Sequence, residues 1–287
     1  MTRLCRFNDN RLGLVEGDRV FDVTPALDVL PAVRWPVPAV DLLIAHLAPV
    51  LARAAALRAG AASLAVADVR FLSPVANPPK VIAAPVNYLK HQAEAIADGG
   101  RNFARDVKTI EQYGLFLKSS TSVIGTGEAV PIAFPERRTD HEIELVVVIG
   151  KGGRAIARDD ALAHVAGYAL GLDITVRGPE DRSLRKSLDG FSVIGPWLVT
   201  ADAVPDPDAL ALRLDVNGAP RQRANTRDLI FDVRRLIEYA STFYTLNAGD
   251  VLFTGTPEGV GPIAPGDLMR YEIEQIGAAE TRVVAAG

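Results

Sequence analysis

Two hydrophobic patterns divide the chain near residue 80. Residues 40–60, VDLLIAHLAPVLARAAALRAG, are rich in alanine and leucine and predict a helix that Pro49 should break or kink. After Lys80, short apolar runs such as VVVI and WLVT alternate with turns rich in glycine and proline. This second pattern predicts many short strands, with helices only near residues 90–98, 159–169 and 228–243.

The mixture predicts a β-rich α+β fold. We expect an antiparallel or mixed β-roll or sandwich as the catalytic domain, residues 73–287, because a regular alternation of strand and helix is missing. A small N-terminal domain should precede it at residues 1–72, where strand-like pieces are separated by Asn-Asp-Asn and Glu-Gly-Asp turns. Between them, LSPVANPPK contains three prolines in nine residues, which is typical of a linker.

The segment DHEIELVVVIG, residues 140–150, places acids at the start of an apolar strand. Glu142 and Glu144 are two residues apart, so in a strand their side chains project to the same face. A solvated strand end is the ordinary interpretation of such a pair. The four apolar residues that follow weaken it, because charged groups are rarely buried unless they are paired or bind a metal.

Two carboxylates on one partly buried face repel each other unless a cation lies between them. Oxygen ligands suit Mg²⁺, Mn²⁺ or Ca²⁺, and such a cation would favour a third carboxylate. Asp173 follows the apolar run GYALGL and is a candidate for that third ligand. The sequence therefore predicts a metal site of Glu142, Glu144 and Asp173.

A second interpretation uses part of the same segment. Gly150, Gly152 and Ala155 follow the strand, and Asp173 comes about twenty residues later, which superficially matches the dinucleotide-binding fingerprint of an oxidoreductase. Against this hypothesis, the helical pattern starts later, near Arg158, and no second βαβ unit follows. A noncatalytic protein that binds a sugar or an acid and has kept the metal pocket is a third hypothesis.

Two further clusters carry candidate chemistry. His91 and Glu94 are three residues apart, so a helix would place them on one face, where a carboxylate can orient an imidazole for general-base catalysis. An ordinary surface pair has the same spacing. Lys186 and Arg177 lie in a polar stretch that, taken alone, indicates only surface charge.

Composition excludes several classes of function. The chain has 287 residues, a net charge of −4 and no basic stripe, so we expect no nucleic-acid partner. One cysteine allows neither an intrachain disulfide nor a cysteine-based zinc site. No apolar run is long enough for a membrane span or a secretory signal, so the expected location is the cytoplasm. Serine-hydrolase, zincin and P-loop motifs are missing.

Seven segments, taken together and in order, indicate a protein family far more specifically than any one segment does alone. The chain resembles the fumarylacetoacetate hydrolase family through NYLKHQAE, FLKSS, DHEIELVVVIGK, GLDITVRG, KSLDGFSVIGPW, RQRANT and GDVLFTGTPEGVG. The resemblance covers residues 80–275, and it implies a β-rich, dimeric enzyme that holds Mg²⁺ or Mn²⁺.

The resemblance also implies roles for individual residues. The positions that match the metal ligands are Glu142, Glu144 and Asp173. The water-activating pair falls on His91 and Glu94, carried on a mobile lid segment, and the catalytic lysine falls on Lys186. The positions lining the substrate pocket are Lys118, Arg177, Gln222 and Thr256. Gly178 departs from the family pattern, in which an acid often follows the arginine.

The expected function is hydrolysis of a carbon–carbon bond in an acylpyruvate or related 2-oxo acid, with the metal stabilising an enolate. Isomerisation, decarboxylation or hydration of 2-oxo-dienoates from aromatic degradation on the same scaffold is the alternative. The presence of His91 and Glu94 favours hydrolysis, because this reaction needs an activated water.

Overall fold

A long mixed β-sheet forms the body of the molecule. The computed structural model describes residues 1–98 and 107–286. Its strands are β1 (Arg3–Phe7), β2 (Arg11–Glu16), β3 (Arg19–Asp22), β4 (Ser63–Ala65), β5 (Phe71–Leu72), β6 (Val81–Ala83), β7 (Phe116–Lys118), β8 (Val123–Ile124), β9 (Val130–Ile132), β10 (Thr139–His141), β11 (Ile143–Ile149), β12 (Val165–Asp173), β13 (Thr175–Val176), β14 (Ser192–Thr200), β15 (Ala211–Val216), β16 (Ala219–Asn225), β17 (Val251–Phe253), β18 (Gly261–Ile263), β19 (Leu268–Ile273) and β20 (Gly277–Ala285).

Helices are short and few by comparison. The α-helices are α1 (Leu42–Ala45), α2 (Leu47–Leu57), α3 (Leu89–Ala97), α4 (Ile110–Tyr113), α5 (Arg182–Arg185) and α6 (Val233–Phe243). Segments of 3₁₀-helix span Thr24–Val29, Arg58–Gly60, Val66–Asp68, Ser120–Ser122, Arg158–His164, Ala201–Ala203, Pro207–Ala209 and Thr226–Asp228. None of the described helices has the length and apolar content needed to cross a bilayer.

Twelve of the described strands form one sheet, whose main path is β4-β3-β2-β1-β14-β12-β11-β17-β6-β7. Strand β5 is added beside β1 and β8 beside β14. Neighbours such as β11 and β12 are antiparallel, whereas β17 and β6 are parallel. Two smaller sheets have the orders β16-β15-β19-β20-β9 and β13-β10-β18. The predicted β-rich mixed fold is therefore confirmed.

Strand β11 is buried on both faces, as its apolar sequence predicted. Leu145 and Val147 belong to one core cluster together with Tyr271, and Val146 and Val148 belong to another. Because side chains alternate along a strand, the two clusters lie on opposite sides of the sheet. The strand is consequently fixed from both sides, and so are the acidic residues at its start.

The leading unit is joined to the long sheet by strand pairing. Strand β1 lies antiparallel to β14, with Arg3 opposite Val199. Residues 73–80 contain neither helix nor strand, as expected for a linker. The helix predicted over residues 40–60 is broken at His46, and Pro49 lies in the first turn of α2, where a missing N–H is tolerated. The division at residue 72 stays a prediction.

Of the three helices predicted after Lys80, those near residues 90–98 and 228–243 are found, and the one at residues 159–169 is wrong. Helix α3 matches residues 90–98, and α6 begins at Val233, later than expected. Residues 159–169 form a 3₁₀-helix followed by the start of β12. The tertiary pairing overrides the local pattern here, because β12 lies between β11 and β14. A Cβ atom on Gly167 would lie 2.2 Å from the Val199 carbonyl oxygen.

The glycines after β11 do not form a dinucleotide-binding turn. Strand β12 runs antiparallel to β11, whereas the fingerprint requires a crossover between parallel strands. No α-helix begins near Gly152 in the described chain, and the next ordered segment is the 3₁₀-helix Arg158–His164. This geometry is inconsistent with the oxidoreductase hypothesis.

Candidate active site

Glu142, Glu144 and Asp173, hereafter the carboxylate trio, meet where β11 starts and β12 ends. The backbone N–H of Asp173 donates to the Glu142 carbonyl oxygen at 2.9 Å, so the antiparallel register places these two residues opposite each other. All three residues are at most 5% exposed. One oxygen from each carboxylate lies within 4.8 Å of the other two. The spacing that suggested a shared face in the sequence is therefore realised in three dimensions.

The chemistry of the trio fits a hard divalent cation. Three carboxylate oxygens are the ligands that Mg²⁺ and Mn²⁺ prefer. Burial raises the pKa of Glu144 well above its usual range, and the charge of Asp173 adds to this effect. Ionising Glu144 therefore costs free energy, and a bound cation would offset this cost by stabilising the carboxylate. The residues present therefore suit the metal that the sequence predicted.

Lys186 contacts two members of the trio directly. Its Nζ atom donates to Glu142 Oε2 at 2.6 Å, to Asp173 Oδ2 at 2.7 Å and to Thr175 Oγ1 at 2.6 Å. Burial favours the neutral amine, but the charges of Asp173 and Glu142 outweigh it and raise the pKa of Lys186. The side chain is therefore a fixed ammonium ion beside the trio.

Lys118 lies behind Asp173. Its Nζ atom is 2.5 Å from Asp173 Oδ1 and 2.8 Å from the Phe191 carbonyl oxygen. Burial lowers the pKa of Lys118, although the Asp173 carboxylate acts in the opposite direction. This lysine orients one oxygen of the metal site and does not line the cavity described below. Its assignment to the substrate pocket stays a prediction.

Arg177 connects the trio to a fourth buried acid, Asp140. Its Nε atom donates to Asp140 Oδ2 at 2.7 Å, and its Nη2 atom donates to Glu142 Oε1 at 3.1 Å. Arg138 donates to the other oxygen of Asp140 at 2.6 Å. Although burial alone would raise it, the cations of Lys186 and Arg177 hold the pKa of Glu142 below its usual value. Glu142 is therefore ionised and Glu144 is the member whose charge is least compensated.

Gln222 and Thr256 act on the backbone of β11. Gln222 Oε1 accepts from the Ile143 N–H at 3.1 Å, and its amide nitrogen donates to Thr256 Oγ1 at 2.8 Å. Thr256 in turn donates to the Ile143 carbonyl oxygen at 2.9 Å. Ile143 separates the two glutamates, so both side chains hold the strand that carries the trio. Thr256 also lines the cavity, whereas Gln222 is fully buried.

His91 and Glu94, hereafter called the water-activating pair after the role that the sequence predicts for them, lie on one face of α3. Glu94 Oε2 is 3.1 Å from His91 Nδ1. The Glu94 side chain is also fixed by the Gly259 N–H, which donates to Oε1 at 3.1 Å. An ionised Glu94 requires the proton of a neutral imidazole to be on Nδ1, so Nε2 is the atom that accepts a further proton.

A cavity of about 480 Å³ connects these groups. Its walls include the whole trio together with four more predicted site residues: His91, Arg177, Lys186 and Thr256. Lys118, Glu94 and Gln222 are not part of its surface and act through their neighbours. The structure thus brings seven of the ten predicted residues to one cavity.

Several residues of the site were missed in the sequence. Thr175 accepts from Lys186, and the Gly255 N–H donates to Glu144 Oε2 at 2.6 Å. Tyr113, Arg182 and Arg185 line the cavity. The only signal for the two arginines was their spacing of three within RSLRK, which a surface helix shows equally often.

Comparison with known proteins identifies relatives over nearly the whole chain. A family model described as fumarylacetoacetate (FAA) hydrolase, C-terminal, matches residues 80–284. The chain is 54% identical over 277 residues to maleylpyruvate hydrolase of Aquipseudomonas alcaligenes, covering 96% of each protein. It is 37% identical over 243 residues to the human mitochondrial oxaloacetate tautomerase FAHD2A, covering 79% of this chain and 74% of that protein.

A solved structure supports the same relationship. Maleylpyruvate hydrolase from Sphingobium sp. SYK-6, crystallised with manganese(II) and pyruvate, superposes with a TM-score of 0.84. The two chains are 40% identical, and the match covers 99% of this chain and 100% of the other.

Proposed function

The chain belongs to the fumarylacetoacetate hydrolase family, and from this premise we propose that it is a divalent-metal-dependent hydrolase of maleylpyruvate or a related acylpyruvate. The observation that carries the proposal is the carboxylate trio, whose oxygens lie within 4.8 Å of one another in the wall of a cavity that His91 also lines. A metal site and a general base facing one cavity are what hydrolysis of a 2-oxo acid requires.

The trio would hold Mg²⁺ or Mn²⁺, which when bound supplies Lewis-acid stabilisation of negative charge on a 2-oxo acid. The ammonium group of Lys186 lies beside Glu142 and Asp173 and stabilises negative charge that develops on the substrate during the reaction. Arg177 and Lys118 fix the orientations of Glu142 and Asp173.

The water-activating pair supplies the nucleophile. Glu94 holds the imidazole of His91 in one orientation and stabilises its cation. His91 takes a proton from water at Nε2, and the water oxygen adds to the carbonyl next to the bond that breaks. The electron pair of that carbon–carbon bond stays on the pyruvate half, which takes up a proton. The products are pyruvate and the acid of the acyl group.

Three finer points extend the proposal. We propose that the protein is a homodimer, as the family resemblance implies, and that residues 1–72 form a small N-terminal domain, joined through β1 and β14 to a catalytic domain of residues 73–287. The single cysteine, which is free and buried, supports a cytoplasmic location. Light scattering of the purified protein tests the dimer, and a strict monomer would count against it.

A substrate panel tests the proposed function. Maleylpyruvate, acetylpyruvate and oxaloacetate are each offered to the protein with Mg²⁺ or Mn²⁺, and pyruvate is measured by coupled oxidation of NADH. We expect rapid release of pyruvate from maleylpyruvate, together with the free acid. Tautomerisation or decarboxylation of oxaloacetate with no cleavage of either acylpyruvate would assign the protein to the alternative reactions. Metal binding without any turnover would indicate a noncatalytic role.

A further inference from the structure

The cations of the cavity differ in how their charges are compensated. Four basic residues contribute to its surface: Arg177, Arg182, Arg185 and Lys186. Arg177 and Lys186 form ion pairs with carboxylates of the site. Within residues 1–98 and 107–286, neither Arg182 nor Arg185 has a carboxylate at ion-pair distance. One wall of the cavity therefore carries positive charge that the described protein does not neutralise.

Arg182 is held by aromatic rings. Its Cζ atom lies 4.0 Å from the centroid of the Tyr113 ring and 5.8 Å from that of Phe116. Such contacts stabilise the cation in part but provide no acceptor oxygen for its five N–H donors. The guanidinium is thus positioned, half-buried and lacking the acceptor that it matches best, which is a planar carboxylate.

Arg185 is fixed by neutral groups. Its Nε atom donates to the Glu180 carbonyl oxygen at 2.8 Å, and Nη1 donates to the Val176 carbonyl oxygen at 3.3 Å. Asp181, four residues before Arg185, also lines the cavity, but its Oδ1 atom accepts from the Ser183 N–H as the cap of α5. Arg185 therefore adds a second charge, three residues from the first, on the same short helix.

The distance from this wall to the trio is within reach of a dicarboxylate acylpyruvate. Arg182 Cζ lies 5.8 Å and Lys186 Nζ lies 5.7 Å from the centroid of the Phe116 ring, so the separation of the two charges cannot exceed the sum of these distances. Maleylpyruvate has a carboxylate at each end of six carbon–carbon bonds of about 1.5 Å, and because its double bond is cis the two carboxylate carbons are at most roughly 7 Å apart. With a hydrogen bond of about 3 Å added at each end, a molecule of that length can reach from Lys186, which contacts the trio, to Arg182.

We propose that Arg182, supported by Arg185, binds the carboxylate at the far end of the substrate and selects dicarboxylate acylpyruvates over monocarboxylate ones. The inference rests on the proposed function, since it assigns the 2-oxo acid end of the substrate to the trio. A charge-assisted, two-point contact of this kind corresponds to roughly 10- to 100-fold in selectivity. Arg182 acts as a specificity residue and takes no part in proton transfer.

The test compares two substrates that differ in this carboxylate. For the wild type, Arg182→Leu and Arg182→Lys, kcat/KM is measured with maleylpyruvate and with acetylpyruvate, which lacks the second carboxylate. Arg213→Leu is the matched control, because Arg213 is an exposed arginine paired with Glu272 at 2.7 Å, outside the cavity. We expect the ratio of the two kcat/KM values to fall about 10- to 100-fold in Arg182→Leu and less in Arg182→Lys. The control should keep the wild-type ratio.

A second measurement keeps the inference testable if acetylpyruvate is a poor substrate. Inhibition constants are measured for maleate, the dicarboxylate product, and for oxalate, which occupies the metal end. Arg182→Leu should weaken inhibition by maleate by a similar factor and leave inhibition by oxalate close to wild type. Equal losses for both substrates and both inhibitors, or no loss at all, would overturn the inference. A wild-type protein that cleaves neither acylpyruvate would instead overturn the proposed function.

Discussion

The carboxylate trio lies at the end of strands that are buried on both faces, whereas the water-activating pair lies on a helix with one face in solvent. The trio residues are at most 5% exposed, while Leu89 and Ile96 on α3 are 64% and 60% exposed. Three carboxylates whose oxygens lie within 4.8 Å of one another repel each other, so they need a rigid backbone that does not move to separate them. A single imidazole and its carboxylate need less support, since they attract each other.

The hydrogen bonds of the two regions differ in the same way. Glu142 and Asp173 each accept from two basic side chains, and Glu144 accepts from the backbone of Gly255. Helix α3 is tied to the rest of the described chain by a backbone bridge from Tyr88 to Leu229 and by the hydrogen bond from the Gly259 N–H to Glu94. The difference suggests that metal binding and water activation are separate tasks, which mutations can separate.

The largest effect is expected from removing one member of the trio. Glu144→Ala should lower metal affinity and reduce hydrolysis by about 10³-fold or more, because Lewis-acid stabilisation is worth several kcal/mol. EDTA should abolish activity in the wild type, and Mg²⁺ or Mn²⁺ should restore it. Titration calorimetry and steady-state kinetics measure the two quantities. Glu272→Ala, at a half-buried acid on β19 outside the cavity, is the control. Full activity in EDTA would disprove the site.

Removing the general base should have the next largest effect. His91→Ala should lose about 10²- to 10⁴-fold in hydrolysis of maleylpyruvate, the usual contribution of such a group. Metal affinity should stay near that of the wild type, since the histidine is on another element. His46→Ala, at the junction of α1 and α2, serves as the control. Unchanged hydrolysis in His91→Ala would mean that water is activated elsewhere.

Glu94→Gln should have a milder effect than His91→Ala. The amide keeps a hydrogen-bond partner for the imidazole but loses the charge that stabilises its cation, a difference of about tenfold in rate. The measurement is kcat/KM for maleylpyruvate, compared between the two variants and the wild type under the same conditions. A loss as large as that of His91→Ala would indicate that Glu94 itself handles the proton.

The smallest effect is expected in the leading unit, residues 1–72, which carries neither the trio nor the water-activating pair. Burial raises the pKa of Cys5 on β1 to about 12, so at pH 8 almost no thiolate forms in the folded protein. The thiol should therefore not react with a disulfide reagent until the protein is denatured. Cys5→Ala should keep wild-type kcat/KM while lowering the melting temperature by a few degrees, about what 1 kcal/mol corresponds to in a chain of this size. Rapid labelling of native protein would contradict this expectation.

The sequence predicted the trio better than its surroundings. Glu142 and Glu144 were identifiable because strand periodicity fixes their common face, and Asp173 because it ends a neighbouring apolar run. Residues 159–169 were assigned to a helix wrongly, since pairing with two strands outweighs alanine and leucine content. Arg182 carried no signal beyond its spacing of three from Arg185, because its position depends on a ring, Tyr113, that is distant in sequence.

The central claim, that the trio and the water-activating pair perform separable tasks, is tested most directly by measuring two reactions in His91→Ala and Glu144→Ala. Maleylpyruvate hydrolysis consumes a water molecule, whereas oxaloacetate decarboxylation does not, and on the proposed mechanism both would use the metal end of the site. We predict that His91→Ala loses about 10²- to 10⁴-fold in hydrolysis but much less in decarboxylation, with metal affinity retained. Glu144→Ala should lose both reactions together. Equal losses of both reactions in His91→Ala, or loss of metal binding in that variant, would contradict the account.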